Sequence, residues 1–271
     1  MGRVAFWLNR LFLQLRAAHW RRTDLATRSQ RHWEWFGNQP TQRGYALMDW
    51  EQRFYASALH DNDELLLIGC GSGRDLVALL RQGHSVDGVE PAPGCVALAK
   101  QALRDHHLQA QIFPDPIETH TFGKRYDAAI FSWCTYCYLV SSNDRISVLQ
   151  RLRRALKPSG RILLSYVVRA PSPTPGGMRL TRWLGPLLRS DIAWEIGARV
   201  ATHHRLPFFE RTFLPSEIAA EVQQAGLRIE FHQEAEKGLG VLLATARAGC
   251  GEESQNRHRH RALLEPITSI L

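Results

Sequence analysis

Three glycines alternate with other residues in Gly69-Cys70-Gly71-Ser72-Gly73, and a carboxylate follows at Glu90. The glycines stand where the apolar run "LLLI" gives way to a helical pattern, the strand-to-helix junction at which open α/β sheets bind ligands. Glycine lets backbone come close to a ligand and take positive φ. A dinucleotide fingerprint requires its third glycine three residues after the second, and Arg74 occupies that position. The GxGxG spacing suits a close-fitting ligand that puts no pyrophosphate on the helix N-terminus. Glu90 ends the next apolar alternation, "SVDGVE", about 20 residues on, where a carboxylate can accept from both hydroxyls of a ribose. Charge-assisted bonds of that kind contribute ~1.5–3 kcal/mol each. Loop and acid together ask for an adenosine-type nucleoside without a diphosphate.

The elements that must position these residues follow from periodicity. Glu64–Ile68, Ser85–Glu90, Gln109–Phe113, Tyr126–Phe131 and Arg161–Val168 read as strands. Gly73–Gln82, Gly94–His106 and Asn143–Leu156 read as helices between them, the last ended by "KPSG". This alternation predicts a doubly wound parallel sheet with helices on both faces. Residues 169–212 interrupt it with the loop "RAPSPTPGG" and what read as aromatic and basic helical pieces. A helix from about Pro215 to Ala225 and strands at Leu227–His232 and Gly240–Ala246 close the sheet, and residues 247–271 read as a mobile tail. Upstream, Tyr45–Leu59 is predicted helical, with Leu47, Trp50, Phe54 and Ala58 inward.

The 271 residues are 44% hydrophobic and 22% charged, as expected for one globular domain with additions. No apolar run approaches the ~20 residues that span a bilayer, and Asn9 and Arg10 break up the N-terminal apolar stretch before a signal h-region forms. Five cysteines without framework spacing point to a reducing cytoplasm. The net charge of +8 is unevenly placed: residues 1–32 hold seven Arg and one Asp, whereas 33–246 hold 23 Lys/Arg against 22 Asp/Glu. Residues 1–44 therefore form a basic arm. Its helix, 4–20, puts Val4, Leu8, Leu11, Leu15 and Ala18 on one stripe, widened by Trp7 and Phe12. Two placements are open for it, docking beside the 45–59 helix to help close the ligand site, or peripheral contact with an anionic membrane. Docking is the favoured expectation, because Ala17, Ala18 and "RRTDLATRSQ" extend the helix without deep membrane anchors.

Taken in order, "LLLIGCGSGRD", "VDGVEPA", "YDAAIF", "LKPSGRILLS" and "FLPSEIAAEVQQAGL" resemble the class I S-adenosylmethionine-dependent methyltransferases over roughly residues 45–246. The resemblance implies a seven-stranded sheet of order 3-2-1-4-5-7-6 with the seventh strand antiparallel. It implies a cofactor set of Gly69, Cys70, Gly71, Ser72, Gly73, Glu90, Pro91, Asp115, Pro116, Ile117, Ser132 and Trp133. Within that set the glycines would line the methionine moiety and Glu90 would hold the ribose. Asp115 would accept from the adenine amino group between Pro116 and Ile117, and Ser132 and Trp133 would face the sulfonium. The chain departs from the family at Leu67, where an acid often stands two positions before the first glycine. An acid for the methionine ammonium must then come from Asp49, Glu51 or Asp75.

Methyl transfer from a sulfonium is an in-line displacement that needs positioning more than proton transfer, so the acceptor is sought by elimination. The Asn/Asp-Pro-Pro-aromatic run of base-amino methyltransferases is replaced by Phe131-Ser132-Trp133-Cys134, and no Pro-Cys nucleophile occurs. DNA is therefore not expected as a partner. The reading is a small-molecule acceptor methylated at O, N or S. An RNA or protein acceptor held by the basic arm is the alternative. His203 and His204 are candidates for a base or acceptor-binding group, with Tyr136 beside them and Tyr138 and Glu195 weaker on the same logic. The 169–212 insert, with seven Arg and three acids plus Trp183, Trp194, Phe208 and Phe209, suits an apolar acceptor with an anionic group. Cys134 and Cys137 supply only half a zinc site, so they read as packing residues and no metal is expected.

Overall fold

A computed structural model describes residues 2–39, 44–169, 176–192, 194–204 and 206–246; the segment read as a tail lies outside the described residues. The N-terminal arm is two helices, α1 (Gly2–Ala17) and α2 (Arg22–Gly37). After α3 (Asp49–Ala58) come β1 (Glu64–Ile68), α4 (Arg74–Arg81), β2 (Ser85–Val89), α5 (Pro93–Asp105), β3 (Ile112–Phe113) and β4 (Tyr126–Phe131). A tight exit turn, Ser132–Tyr138, leads to α6 (Ser142–Ala155) and β5 (Leu156–Val167). The insert then supplies α7 (Gly176–Leu187), β6 (Ala198–His203) and β7 (Leu206–Arg211). The chain returns through α8 (Pro215–Gln224), β8 (Leu227–Glu236) and β9 (Leu239–Ala246).

Seven strands form one sheet of order β3-β2-β1-β4-β5-β9-β8. The first five pair in parallel, and β9 runs antiparallel to both β5 and β8. This is the expected topology. In β1, Leu65 to Ile68 are all buried, as a central parallel strand covered on both faces requires. Successive side chains alternate between two cores. Leu66, Ile68, Ala129 and Phe131 meet Leu149, Leu152, Ile218 and Val222 from α6 and α8. Leu65, Leu67, Ala128 and Ile130 meet Trp50, Phe54, Leu76, Leu79 and Val96 from α3, α4 and α5.

Two parts of the chain differ from the sequence reading. The insert is only half helical, for its second part is the β6–β7 hairpin with Val200 opposite Phe209 and Ala201 opposite Phe208. The burial of Ala198 and Val200 between less buried Arg199 and Ala201 is the period-2 signal of a strand, carried by residues that read as part of the aromatic and basic helical pieces. The arm, in turn, docks on the insert and not beside α3. Ala17, Trp20 and Leu25 share a third core with Ile192, Trp194, Val200 and Phe209. The buried face of α1 is Gln14 with Ala17, whereas Leu8, Leu11 and Phe12 of the predicted stripe are exposed. Gln14 wins its burial because its side-chain amide donates to Val200 O at 2.8 Å and accepts from Val200 N at 3.3 Å.

Candidate active site

The glycine loop is a left-handed path. Gly69, Gly71 and Gly73 take φ of 71°, 54° and 93°, a region costly for residues with a Cβ. Gly69 also lies against the exit turn, where a Cβ would stand 2.4 Å from Thr135 Oγ1. A Cβ at Gly71, by contrast, would meet no heavy atom within 4 Å. Room is thus left over the middle glycine, beside Glu90. The Glu90 side chain is buried; its Oε2 accepts from Gly71 N at 2.9 Å and its Oε1 from Ala92 N at 2.9 Å. Burial pushes its carboxyl above the usual range, and the two amides oppose that shift. Two backbone bonds fix the carboxylate and leave lone pairs for a diol.

Next to the loop lies a buried charged cluster. Arg74 donates to Glu51 Oε1 at 2.5 Å and lies 2.6 Å from Asp75 Oδ1. Ser132 Oγ donates to Asp75 Oδ2 at 2.5 Å, and the Arg74 guanidinium lies 5.3 Å from the Trp133 ring centroid. Burial, and then the Asp75 charge, push the Glu51 carboxyl up to about 7. Of the three acids considered for an ammonium, Glu51 and Asp75 are brought to the loop and the exit turn, while Asp49 is exposed. Arg74 stands at the position of a third dinucleotide glycine, and its guanidinium is committed to Glu51 and Asp75.

The exit turn is strained. Trp133 and Cys134 take φ of 23° and 59°, a conformation that non-glycine residues hold only when packing over-determines it. Ser165 Oγ accepts from Cys134 N at 2.8 Å and helps to hold it. Above the turn lies α2, which the sequence reading gave only as an extension of the first helix. Its Glu34 Oε1 accepts from Gly94 N at 3.2 Å, Cys95 Sγ donates to Trp33 O at 3.3 Å, and a Cβ on Gly37 would stand 3.4 Å from Ser72 Cβ. The helix therefore roofs the glycine loop. Its aromatic face continues outward. Phe36 lies 5.5 Å from Trp133, Trp33 lies 4.4 Å from Tyr138, and His32 stacks on Phe208 of β7 at 4.1 Å. The signal was present in "HWEWFG", where positions 32, 33 and 36 share a helix face.

A third network ties the insert to α6 and α8. Arg145, fully buried, donates to both oxygens of Glu221 and to Glu195 Oε2, and Arg211 reaches Glu221 at 2.7 Å. Tyr136 belongs to this network. Its hydroxyl donates to Glu221 Oε2 at 2.8 Å and its ring is fully buried beneath Phe213. That overturns its candidacy as a group facing the acceptor, because burial raises its pKa and its proton is already committed.

The remaining candidates divide. His203 and His204 lie at the hairpin tip, and the His204 ring meets Trp35 at 4.4 Å, on the outer rim of the roof. Asp115 is half exposed and pairs with His120 Nδ1 at 3.2 Å. Pro116 O accepts from Thr119 N and His120 N, so "PDP" opens a turn as well. Ile117 is a core residue. Both cysteines of the CxxC are buried, and Cys137 Sγ accepts from Val167 N at 3.2 Å.

Residues 65–160, from β1 into β5, match a family model described as "Methyltransferase domain". Those residues form a methyltransferase domain, and the sheet built around them has the strand order of the class I S-adenosylmethionine-dependent methyltransferases. A SAM-dependent methyltransferase from Methanosarcina mazei is similar in structure, with a TM-score of 0.59 and 21% identity over 75% of this chain and 100% of that one. So is 1,6-didemethyltoxoflavin-N1-methyltransferase of Burkholderia thailandensis, with a TM-score of 0.55 and 18% identity over 83% and 86%. In sequence, malonyl-acyl-carrier-protein O-methyltransferase of Serratia marcescens is 28% identical over 107 residues. The chain spans 39% of the length of that relative. The methyltransferase cofactor is S-adenosylmethionine, and the residues present fit it: a fixed, buried carboxylate stands beside open space over Gly71.

Proposed function

We propose that the protein is an S-adenosylmethionine-dependent methyltransferase acting on an O, N or S atom of a small, apolar molecule. The observation that carries this reading is the aromatic roof of Trp33, Phe36, Tyr138 and Trp133 over the C-terminal end of β4. Glu90, fixed by the amides of Gly71 and Ala92, would hold the ribose, and Glu51 or Asp75 the ammonium. When bound, the cofactor supplies a methyl group already activated on a sulfonium. The chain's own contribution is then positioning and exclusion of water. The strained turn sets Trp133, α2 closes the loop from above, and Phe36 and Trp33 give a planar acceptor apolar faces to stack on. An anionic group on the acceptor gains less support, because Arg169, Arg199 and Arg211 of the insert are each paired with a glutamate.

A second reading, methylation of RNA or protein, is favoured by one feature, an open groove of about 490 Å³ lined by His120, Lys124, Arg125, Arg151 and Arg154. It lies at the start of β4, a strand's length (about 17 Å for six residues) from Trp133. A polyanion seated there is not directed at the methyl group. Incubating the protein with cell extract and methyl-labelled cofactor, followed by mass spectrometry, decides between the readings. Label in low-molecular-mass metabolites is expected, and label confined to RNA or protein would reverse the choice. Trp133→Ala is expected to cut turnover on that metabolite by about 10²-fold, the scale of lost orientation.

A further inference from the structure

Two helices of the arm and the insert present one outward surface. Helices α1 and α7 pack in parallel, for Thr181 Oγ1 donates to Gln14 O at 2.9 Å and a Cβ on Gly185 would stand 3.8 Å from Ala18 O. Each buries a narrow strip, Gln14 with Ala17 on α1 and Thr181 with Gly185 on α7. The large apolar residues point elsewhere. Leu8, Leu11 and Phe12 are 59%, 37% and 62% exposed, and Trp183, Leu187 and Leu188 are 67%, 65% and 46% exposed. Five large apolar side chains on neighbouring helices, with Leu188 just after α7, are not the scattered singles of an ordinary surface. The two helices carry five arginines (3, 10, 16, 179 and 182) and no acid, and Arg189 follows directly. Arg16 lies over the Phe12 ring at 6.0 Å, and Arg182 and Arg189 are exposed.

We propose that the α1–α7 surface seats the protein on an anionic lipid bilayer, so that the acceptor is drawn from the membrane. The docking stands on this surface alone, and the membrane origin of the acceptor rests on the reading in the preceding section. The chemistry matches an interfacial contact: apolar and aromatic side chains for the acyl boundary, arginines for anionic headgroups. No described helix is long and apolar enough to cross a membrane, so the contact is peripheral. A second copy of this chain fits less well, because a two-fold pairing of these faces would set arginine against arginine. Both helices join the layer that roofs the acceptor side, through Gln14 with Val200 and through Trp194, which a Cβ on Gly185 would crowd at 2.7 Å.

The test is cosedimentation of the full chain with vesicles of phosphatidylcholine alone or phosphatidylcholine with phosphatidylserine. Binding to the anionic vesicles is expected to be at least about tenfold tighter, and to weaken as salt is raised. The combined variant Leu8→Ser, Phe12→Ser, Trp183→Ser, Leu187→Ser is expected to stay in the supernatant. All four side chains are exposed, so its affinity for S-adenosylhomocysteine should match wild type, which shows that it is folded. Equal sedimentation of wild type and variant, or no sedimentation of wild type, would overturn the proposal. So would a wild-type dimer in gel filtration that the variant loses, which would give this face to a second copy. Vesicle binding is read without turnover or cofactor, so a failure of the methyltransferase reading leaves this result standing.

Discussion

The cofactor half and the acceptor half of this molecule are held in place by different physics. The cofactor half is local, since Gly69 to Glu90 is one strand–loop–helix–strand unit whose geometry comes from three left-handed glycines and two amide bonds to a carboxylate. The acceptor half is assembled from distant pieces. Phe36, Trp133 and Phe208 come from α2, the exit turn and β7, and the insert is fixed to α6 and α8 by the buried Arg145, Arg211, Glu195 and Glu221 network. Backbone conformation sets the first half, and desolvated ion pairs orient the second. Substitutions should therefore separate the two.

The largest effect is expected from Arg145→Ala. It leaves Glu221 buried with Arg211 as its main cation, and breaking a buried pair from one side costs about 3–5 kcal/mol. A drop in Tm on the order of 10 °C is expected by calorimetry, and a drop within error would show that the network does not hold the acceptor half. Gly69→Ala probes the other half. A non-glycine residue at φ 71° costs about 1–2 kcal/mol, to which the contact with Thr135 adds. Loss of S-adenosylhomocysteine affinity is the expected readout, and a variant that binds normally would remove the loop from the account.

Glu51 gives a prediction with a sign. Its folded pKa, pushed from 4.5 to about 7, exceeds the unfolded value. Folded protein then binds more protons than unfolded protein in that window, so stability from the protonated carboxyl is lost as pH rises through it. Wild-type stability relative to Glu51→Gln, measured in urea, should fall by about 2–3 kcal/mol between about pH 5 and pH 7. A flat difference would show that Glu51 is ionised throughout. The smallest effect is expected from Glu195→Gln, which loosens the link from Arg145 and Ser142 N to the insert. An acceptor KM raised about threefold to tenfold with cofactor affinity unchanged is expected, for the loss of about 1 kcal/mol. A change in cofactor affinity instead would merge the two halves.

The same division explains what the sequence made legible. The alternation of strands and helices around the glycine loop, and α8 after the insert, follow from local spacing and the structure repeats them, whereas the sheet order followed from the family resemblance. The β6–β7 hairpin was hidden because Arg199, His203 and Arg211 among the aromatics made its strands read as basic helical pieces. The roof was hidden because its parts are far apart in the chain. "HWEWFG" could be read as one helix face, but no spacing rule says that His32 will stack on Phe208. Tyr136 was misplaced for the reverse reason. It read as a base or acceptor-binding group on the same logic as the histidines, and a partner 85 residues away, Glu221, turned it inward.

Isothermal titration of wild type and Glu90→Ala with S-adenosylhomocysteine and with NAD tests the central claim most directly. Glu90 is the one buried carboxylate that joins the loop to the second strand, and each ribose bond it would accept contributes ~1.5–3 kcal/mol. Wild type is expected to bind S-adenosylhomocysteine in the micromolar range and NAD not at all. A folded Glu90→Ala protein is expected to lose between about tenfold and a hundredfold in affinity or more. Unchanged affinity in that variant, or NAD binding by the wild type, would contradict the account.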